Sequence, residues 1–124
     1  MTTRPLVLVI DDFDDTRDVY AVALRLEGFA VEEARDGREG VQKAFELLPD
    51  IIITDVTMPI MDGWETIRRL RGDERTRRIP IIACSGQDVG SGTHDSSVDV
   101  LLPKPCPLDT LLLEVRRLLR RVTA

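Results

Sequence analysis

Residues that would staple or metallate a small domain are scarce in this sequence. Histidine occurs once and cysteine twice in 124 residues, too few for a disulfide framework or a soft-ligand metal centre. Two unpaired thiols, Cys84 and Cys106, fit a reducing cytoplasm. No apolar run approaches the roughly 20 residues that span a bilayer. The opening MTTRPLVLVIDD carries no small-residue cleavage site, so it reads as a first strand rather than a signal peptide. GSG at 90–92 is not followed by the Gly-Lys-Ser/Thr ending of a phosphate loop and reads as linker. Positive charge is in deficit, and the net charge of −5 disfavours nucleic acid or anionic membrane as principal partner. What remains, 43% hydrophobic and 31% charged residues, suits one globular domain over 1–124.

Five short apolar stretches rich in β-branched residues predict strands at 6–10, 29–34, 51–54, 80–84 and 98–102. Between them lie helical patterns. The first, 16–26, has Val19, Val22, Ala23 and Leu26 as its apolar stripe, Asp14 and Asp15 as caps, and Gly28 as its stop. Asp36 caps a second running to Leu48, with Val41, Ala44, Phe45 and Leu48 inward. A third covers 64–71 around Ile67 and Leu70. The last follows Pro107 and has the stripe Leu108, Leu111, Leu112, Val115, Leu118, Leu119 and Val122. Arg pairs at 68–69, 77–78, 116–117 and 120–121 read as solvated faces, with partner docking the alternative. Strands alternating with helices predict an α/β fold with a parallel sheet covered on both faces.

In such a sheet, functional groups gather beyond the carboxyl ends of the strands, where strand order reverses. Asp11 and Asp12 follow the first strand, Asp55 the third and Ser85 the fourth, and Lys104 lies just past the fifth. Crowded carboxylates repel one another unless a cation sits among them. Hard oxygen ligands without Cys or His select Mg²⁺, with Mn²⁺ or Ca²⁺ as alternatives. Lys104 supplies a point charge suited to phosphate, and the Ser85 hydroxyl a hydrogen bond to another phosphoryl oxygen. Phosphoryl transfer is mostly positioning and charge neutralisation, and a carboxylate can be its nucleophile. Asp55 is the better nucleophile candidate, because Asp11 and Asp12 as a pair are better placed to hold a metal.

IDDF (10–13), ITDVTMPIMDG (53–63), ACSG (83–86) and LPKP (102–105), in order on these elements, resemble the receiver domain of two-component response regulators over nearly the whole chain. The resemblance implies a three-layer, doubly wound, five-stranded parallel sheet of flavodoxin-like order 2-1-3-4-5. It implies that Asp55 is the phosphoacceptor, served by a histidine kinase or phosphotransfer protein. Asp11, Asp12 and Asp55 with the Thr57 carbonyl would bind Mg²⁺. Ser85 matches the switch hydroxyl and Lys104 the phosphoryl-contacting lysine. Pro59, Asp62 and Gly63 match the loop after the acceptor, Pro105 a proline often cis, and Thr57 and Gln87 flank the path of the hydrolytic water. A single-domain, cytoplasmic, phosphorylation-controlled interaction switch is expected, with self-catalysed phosphoryl acceptance and autodephosphorylation but no other enzymatic activity. Stand-alone regulator and excised receiver both fit this length.

Two departures stand out. Leu101 occupies the usual place of a switch Tyr or Phe. The segment GQDVGSGTHDSS (86–97) is Gly- and Ser-rich with almost no apolar stripe, so the fourth helix is expected to be short or disordered. Phosphorylation is then expected to order or disorder 86–97 rather than rotate an aromatic ring. Two other classes stay open: an Asp-nucleophile phosphohydrolase, which wants an acid where position 57 is Thr, and a receiver-like module that docks without phosphate.

Overall fold

The computed structural model describes residues 4–56, 63–86 and 97–123. Along the chain these form β1 (Leu6–Ile10), α1 (Asp14–Leu26), β2 (Ala30–Ala34), α2 (Gly37–Leu47), β3 (Ile51–Asp55), α3 (Gly63–Arg71), β4 (Ile81–Ser85), β5 (Val100–Pro103) and α4 (Leu108–Thr123). The strands make one parallel sheet in the order β2-β1-β3-β4-β5, as the resemblance implies. Strand side chains alternate between faces. Val7, Val9, Ile51, Ile53, Ile82 and Cys84 pack with Tyr20, Ala21 and Leu24 of α1 and Leu111, Val115 and Leu118 of α4. Leu8, Ile10, Ile52, Ile81 and Ala83 pack with Val41 and Ala44 of α2 and Ile67 and Leu70 of α3. Burial on both faces explains why the central strands read as continuous apolar runs rather than as alternating patterns.

Local chemistry sets the element ends. Asp36 accepts a hydrogen bond from the Glu39 N–H at 2.8 Å and caps α2 as expected. Gly28 takes φ +97° just after α1, a conformation that side-chain-bearing residues rarely adopt.

Three local expectations are overturned. The buried face of α1 is Arg17, Tyr20, Ala21 and Leu24, whereas Val19, Val22 and Leu26 are 50%, 55% and 79% exposed. The true stripe lies about 160° round the helix, almost opposite, and a charged residue in it hides it from a hydropathy reading. Asp14 and Asp15 do not cap α1 but sit in its first turn, where carboxylates favour the positive end of the helix; Phe13 occupies the cap position without a side-chain bond. Leu48 ends α2 in the left-handed region at φ 49° and is exposed rather than inward. The expected short or disordered helix over 86–97 falls, apart from its two end residues, outside the described residues.

Candidate functional site

The chain leaves β1 toward β2 on one side of the sheet and returns to β3 on the other. The strand-order reversal therefore lies between β1 and β3. Asp11 and Asp12 follow β1 and Asp55 ends β3, so the switch point brings the three acids together. Their carboxylate oxygens lie within 4.8 Å of one another. Asp11 and Asp55 are buried, at 2% and 4% exposure, and Asp12 is exposed. Lys104 Nζ lies 3.1 Å from Asp11 Oδ2 and 3.2 Å from Asp55 Oδ2. Its strand end is tied in register by the Lys104 N–H donating to the Ser85 carbonyl at 2.8 Å, and the Lys104–Pro105 peptide is cis. Ser85 is buried at the end of β4, on the same rim.

Backbone contacts hold the acids in place. The Asp11 N–H donates to the Ala34 carbonyl at 3.1 Å, and Asp11 Oδ1 accepts from the Phe13 N–H at 2.9 Å. The Val56 N–H donates to the Cys84 carbonyl at 3.0 Å, fixing the chain just past Asp55. Gly63 packs so close that an added Cβ would collide with the Asp55 carbonyl and Val56 Cα. Trp64, next to it, is half-buried against the α2–α3 side of the core.

Sequence reasoning missed one residue here. Arg17 is buried on α1 and donates from Nη1 to the Asp11 carbonyl at 2.8 Å. Only its i,i+3 spacing from Asp14 was visible in the sequence. Leu101 is half-buried and packs toward α2 and α3. Thr57, Pro59, Asp62 and Gln87 lie outside the described residues.

The electrostatics favour a bound cation. Burial raises the Asp11 carboxyl above its ordinary value, against the Phe13 and Lys104 contacts. Desolvation also raises Asp12, helped by the neighbouring Asp55 and Asp11 charges. Burial disfavours the Lys104 charge, but Asp11 and Asp55 outweigh it and hold the ammonium above its usual range. Three oxygen donors spanning up to 4.8 Å are comparable with the roughly 4.2 Å across an octahedral Mg²⁺ shell. The donor set contains no sulfur or nitrogen, so these residues fit a hard divalent ion.

Comparisons with known proteins give the family and the fold. The chain is 39% identical over 121 residues to the DNA-binding dual master transcriptional regulator RpaA of Synechocystis, covering 94% of this chain and 50% of that protein. It spans about half the length of the curated relatives it matches. Chemotaxis response regulator CheY4 of Vibrio cholerae superposes with TM-score 0.86 at 31% identity, covering 94% of this chain and 99% of that one. The receiver domain of sensor histidine kinase PA1611 from Pseudomonas aeruginosa, solved with a magnesium ion coordinated in its active-site cleft, superposes with TM-score 0.86 at 26% identity, covering 94% and 98%. With residues 7–116 matched by the response regulator receiver domain model, the chain belongs to the receiver domain family.

Proposed function

We propose that this chain accepts a phosphoryl group on Asp55 from a histidine kinase or phosphotransfer protein in a Mg²⁺-dependent reaction, and serves as a phosphorylation-controlled protein interaction switch. The observation that carries this reading is the convergence of Asp11, Asp12, Asp55 and Lys104 at the β1–β3 switch point. Asp11, Asp12 and Asp55 would hold the ion, and the Thr57 carbonyl would be a further ligand. When bound, Mg²⁺ neutralises the phosphoryl oxygens and lets an anion approach an acidic pocket. One Asp55 oxygen attacks phosphorus as the bond to the donor imidazole nitrogen breaks, and the electron pair stays with that nitrogen. Lys104 moves from bridging two carboxylates to contacting the transferred group, and the Ser85 hydroxyl donates to another phosphoryl oxygen. The bound magnesium in the PA1611 receiver supports the choice of ion.

The donor's path is also supported by shape and charge. Beside Lys104 lies a hollow of about 420 Å³ lined by Val19, Tyr20, Pro105 and Cys106. A second, of about 370 Å³, shares Val19 and continues along Val22, Leu26 and Leu108. The exposed Asp15 and Asp18 edge this apolar trough. A donor helix with an apolar stripe and basic flanks fits it. The two free cysteines suit a cytoplasmic setting, and no helix among the described residues is long and apolar enough to cross a membrane.

Incubation with acetyl phosphate and Mg²⁺, followed by intact mass, tests the reading. One phosphoryl group should be gained, and Asp55→Asn should abolish the gain. No gain in the unmodified chain would point instead to a module that docks without phosphate.

A further inference from the structure

Arg17 is a charged side chain that α1 buries, and its guanidinium reaches three acceptors at once. Nη1 donates to the Asp11 carbonyl at 2.8 Å, Nη2 meets Asp14 Oδ1 at 2.6 Å, and Nε lies 3.4 Å from Glu33 Oε1. Two of these partners are carboxylates that explain why a cation tolerates burial here. The third explains nothing about charge. It is a neutral carbonyl, and it belongs to the peptide that joins Asp11 to Asp12.

That peptide matters because the two acids are held so differently. Asp11 is fixed at its N–H by Ala34, at Oδ1 by Phe13 and at Oδ2 by Lys104. Asp12 is exposed, and its carboxylate must nevertheless stay within 4.8 Å of the other two. Rotation of the Asp11–Asp12 peptide would swing Asp12 out of the cluster while leaving Asp11 in place. The Arg17 bond to the Asp11 carbonyl opposes that rotation, and the pairs with Asp14 and Glu33 hold the guanidinium at the angle the bond requires.

We infer that Arg17 is a positioning residue for the metal site: by gripping the Asp11 carbonyl it sets the Asp11–Asp12 peptide plane and so aims Asp12 at the bound cation. The inference rests on the proposed Mg²⁺ role of the acidic cluster. It also fixes a sign. Arg17 is positive, and if it acted through charge alone its removal would relieve repulsion and tighten Mg²⁺. Positioning demands the opposite.

The test is Mg²⁺ titration of the full chain, by calorimetry or Trp64 fluorescence, with the urea midpoint of each variant measured in parallel. Arg17→Met should weaken Mg²⁺ roughly ten- to hundredfold, the usual effect of losing a group that orients a ligand. Arg17→Lys keeps the charge, but its single ammonium pairs with the carboxylates rather than the neutral carbonyl, so affinity should fall there too. Asp14→Asn and Glu33→Gln each leave the carbonyl bond and one ion pair intact. They should lower the urea midpoint without matching the loss of affinity. Unchanged or tighter Mg²⁺ binding in either folded Arg17 variant overturns the inference, as does an equal loss in Asp14→Asn and Glu33→Gln. Failure of the unmodified chain to bind Mg²⁺ removes the cation reading and this inference together. Normal binding by both the unmodified chain and the Arg17 variants removes this inference alone.

Discussion

Lys104 is the internal counterion of a site whose acids cannot easily stand alone. Its ammonium lies 3.1 Å from one buried carboxylate and 3.2 Å from another. Replacing it with methionine strands both, a defect of about 1–3 kcal/mol for buried groups left without partners. Lys104→Met is therefore expected to lower stability by that amount in EDTA at neutral pH, and Mg²⁺ should recover most of the loss. Urea unfolding with and without Mg²⁺ checks this; an equal loss in both conditions would mean that the lysine does something other than balance charge. Cys84 gives a second residue-level expectation. It is 1% exposed, and burial pushes its thiol up to about 12. Because the thiolate is the reactive form, iodoacetamide should leave native Cys84 unlabelled while urea-unfolded chain takes two labels by intact mass. The same shift has a pH signature. Above the ordinary thiol value of 9.0 the unfolded chain can ionise Cys84 while the folded chain cannot. Tyr20, raised by burial, acts in the same direction. Stability from both groups is complete below their unfolded values and is lost as pH climbs toward the folded ones.

Helix α1 carries two jobs on opposite faces, and this is where the sequence misleads. Its inner face includes Arg17, and its outer face carries Val19, Val22 and Leu26, so counting apolar residues selects the wrong side. The strands posed no such problem. Residues at 6–10 and 51–54 are β-branched or leucine and are covered on both faces, so their uninterrupted hydropathy is itself the signal. The site was legible for a related reason: an acid directly after a buried strand has few structural uses, and Asp11, Asp12 and Asp55 all sit there. Arg17 was not, because the i,i+3 pair with Asp14 says nothing of the site, and no sequence spacing links Arg17 to its other two acceptors, the Asp11 carbonyl and a glutamate on β2. The exposed outer face makes its own prediction. Val22→Glu should change stability by no more than about 0.5 kcal/mol, as for most exposed positions. It should nevertheless slow phosphoryl transfer from a phosphohistidine protein several-fold and leave acetyl phosphate labelling unchanged. Rapid-quench transfer assays with the two donors separate these outcomes; equal slowing with both would place the defect in the site rather than on the helix.

At the scale of the whole molecule, the sheet rim couples folding to metal and proton. Asp11 and Asp12 have folded pKa values raised by desolvation and like charge. Their contribution to metal-free stability is complete below the ordinary carboxylate value of 3.8 and is lost as pH rises through the raised folded values. Mg²⁺ works against that trend, since it binds only after those protons leave. Its stabilisation should therefore be absent in acid and grow through the same window. At a hundredfold excess over Kd, binding to the folded chain alone adds about 2.7 kcal/mol, which for a domain of this size means a rise in Tm of order 10 °C. Melting curves in EDTA and in Mg²⁺ are expected to converge below the carboxylate range and to separate steadily toward neutral pH. A shift of constant size across that range would mean that the stabilisation does not depend on ionised carboxylates and would overturn this assignment. A shift that opens only as the clustered acids ionise places the ion among Asp11, Asp12 and Asp55, where β1 and β3 deliver them.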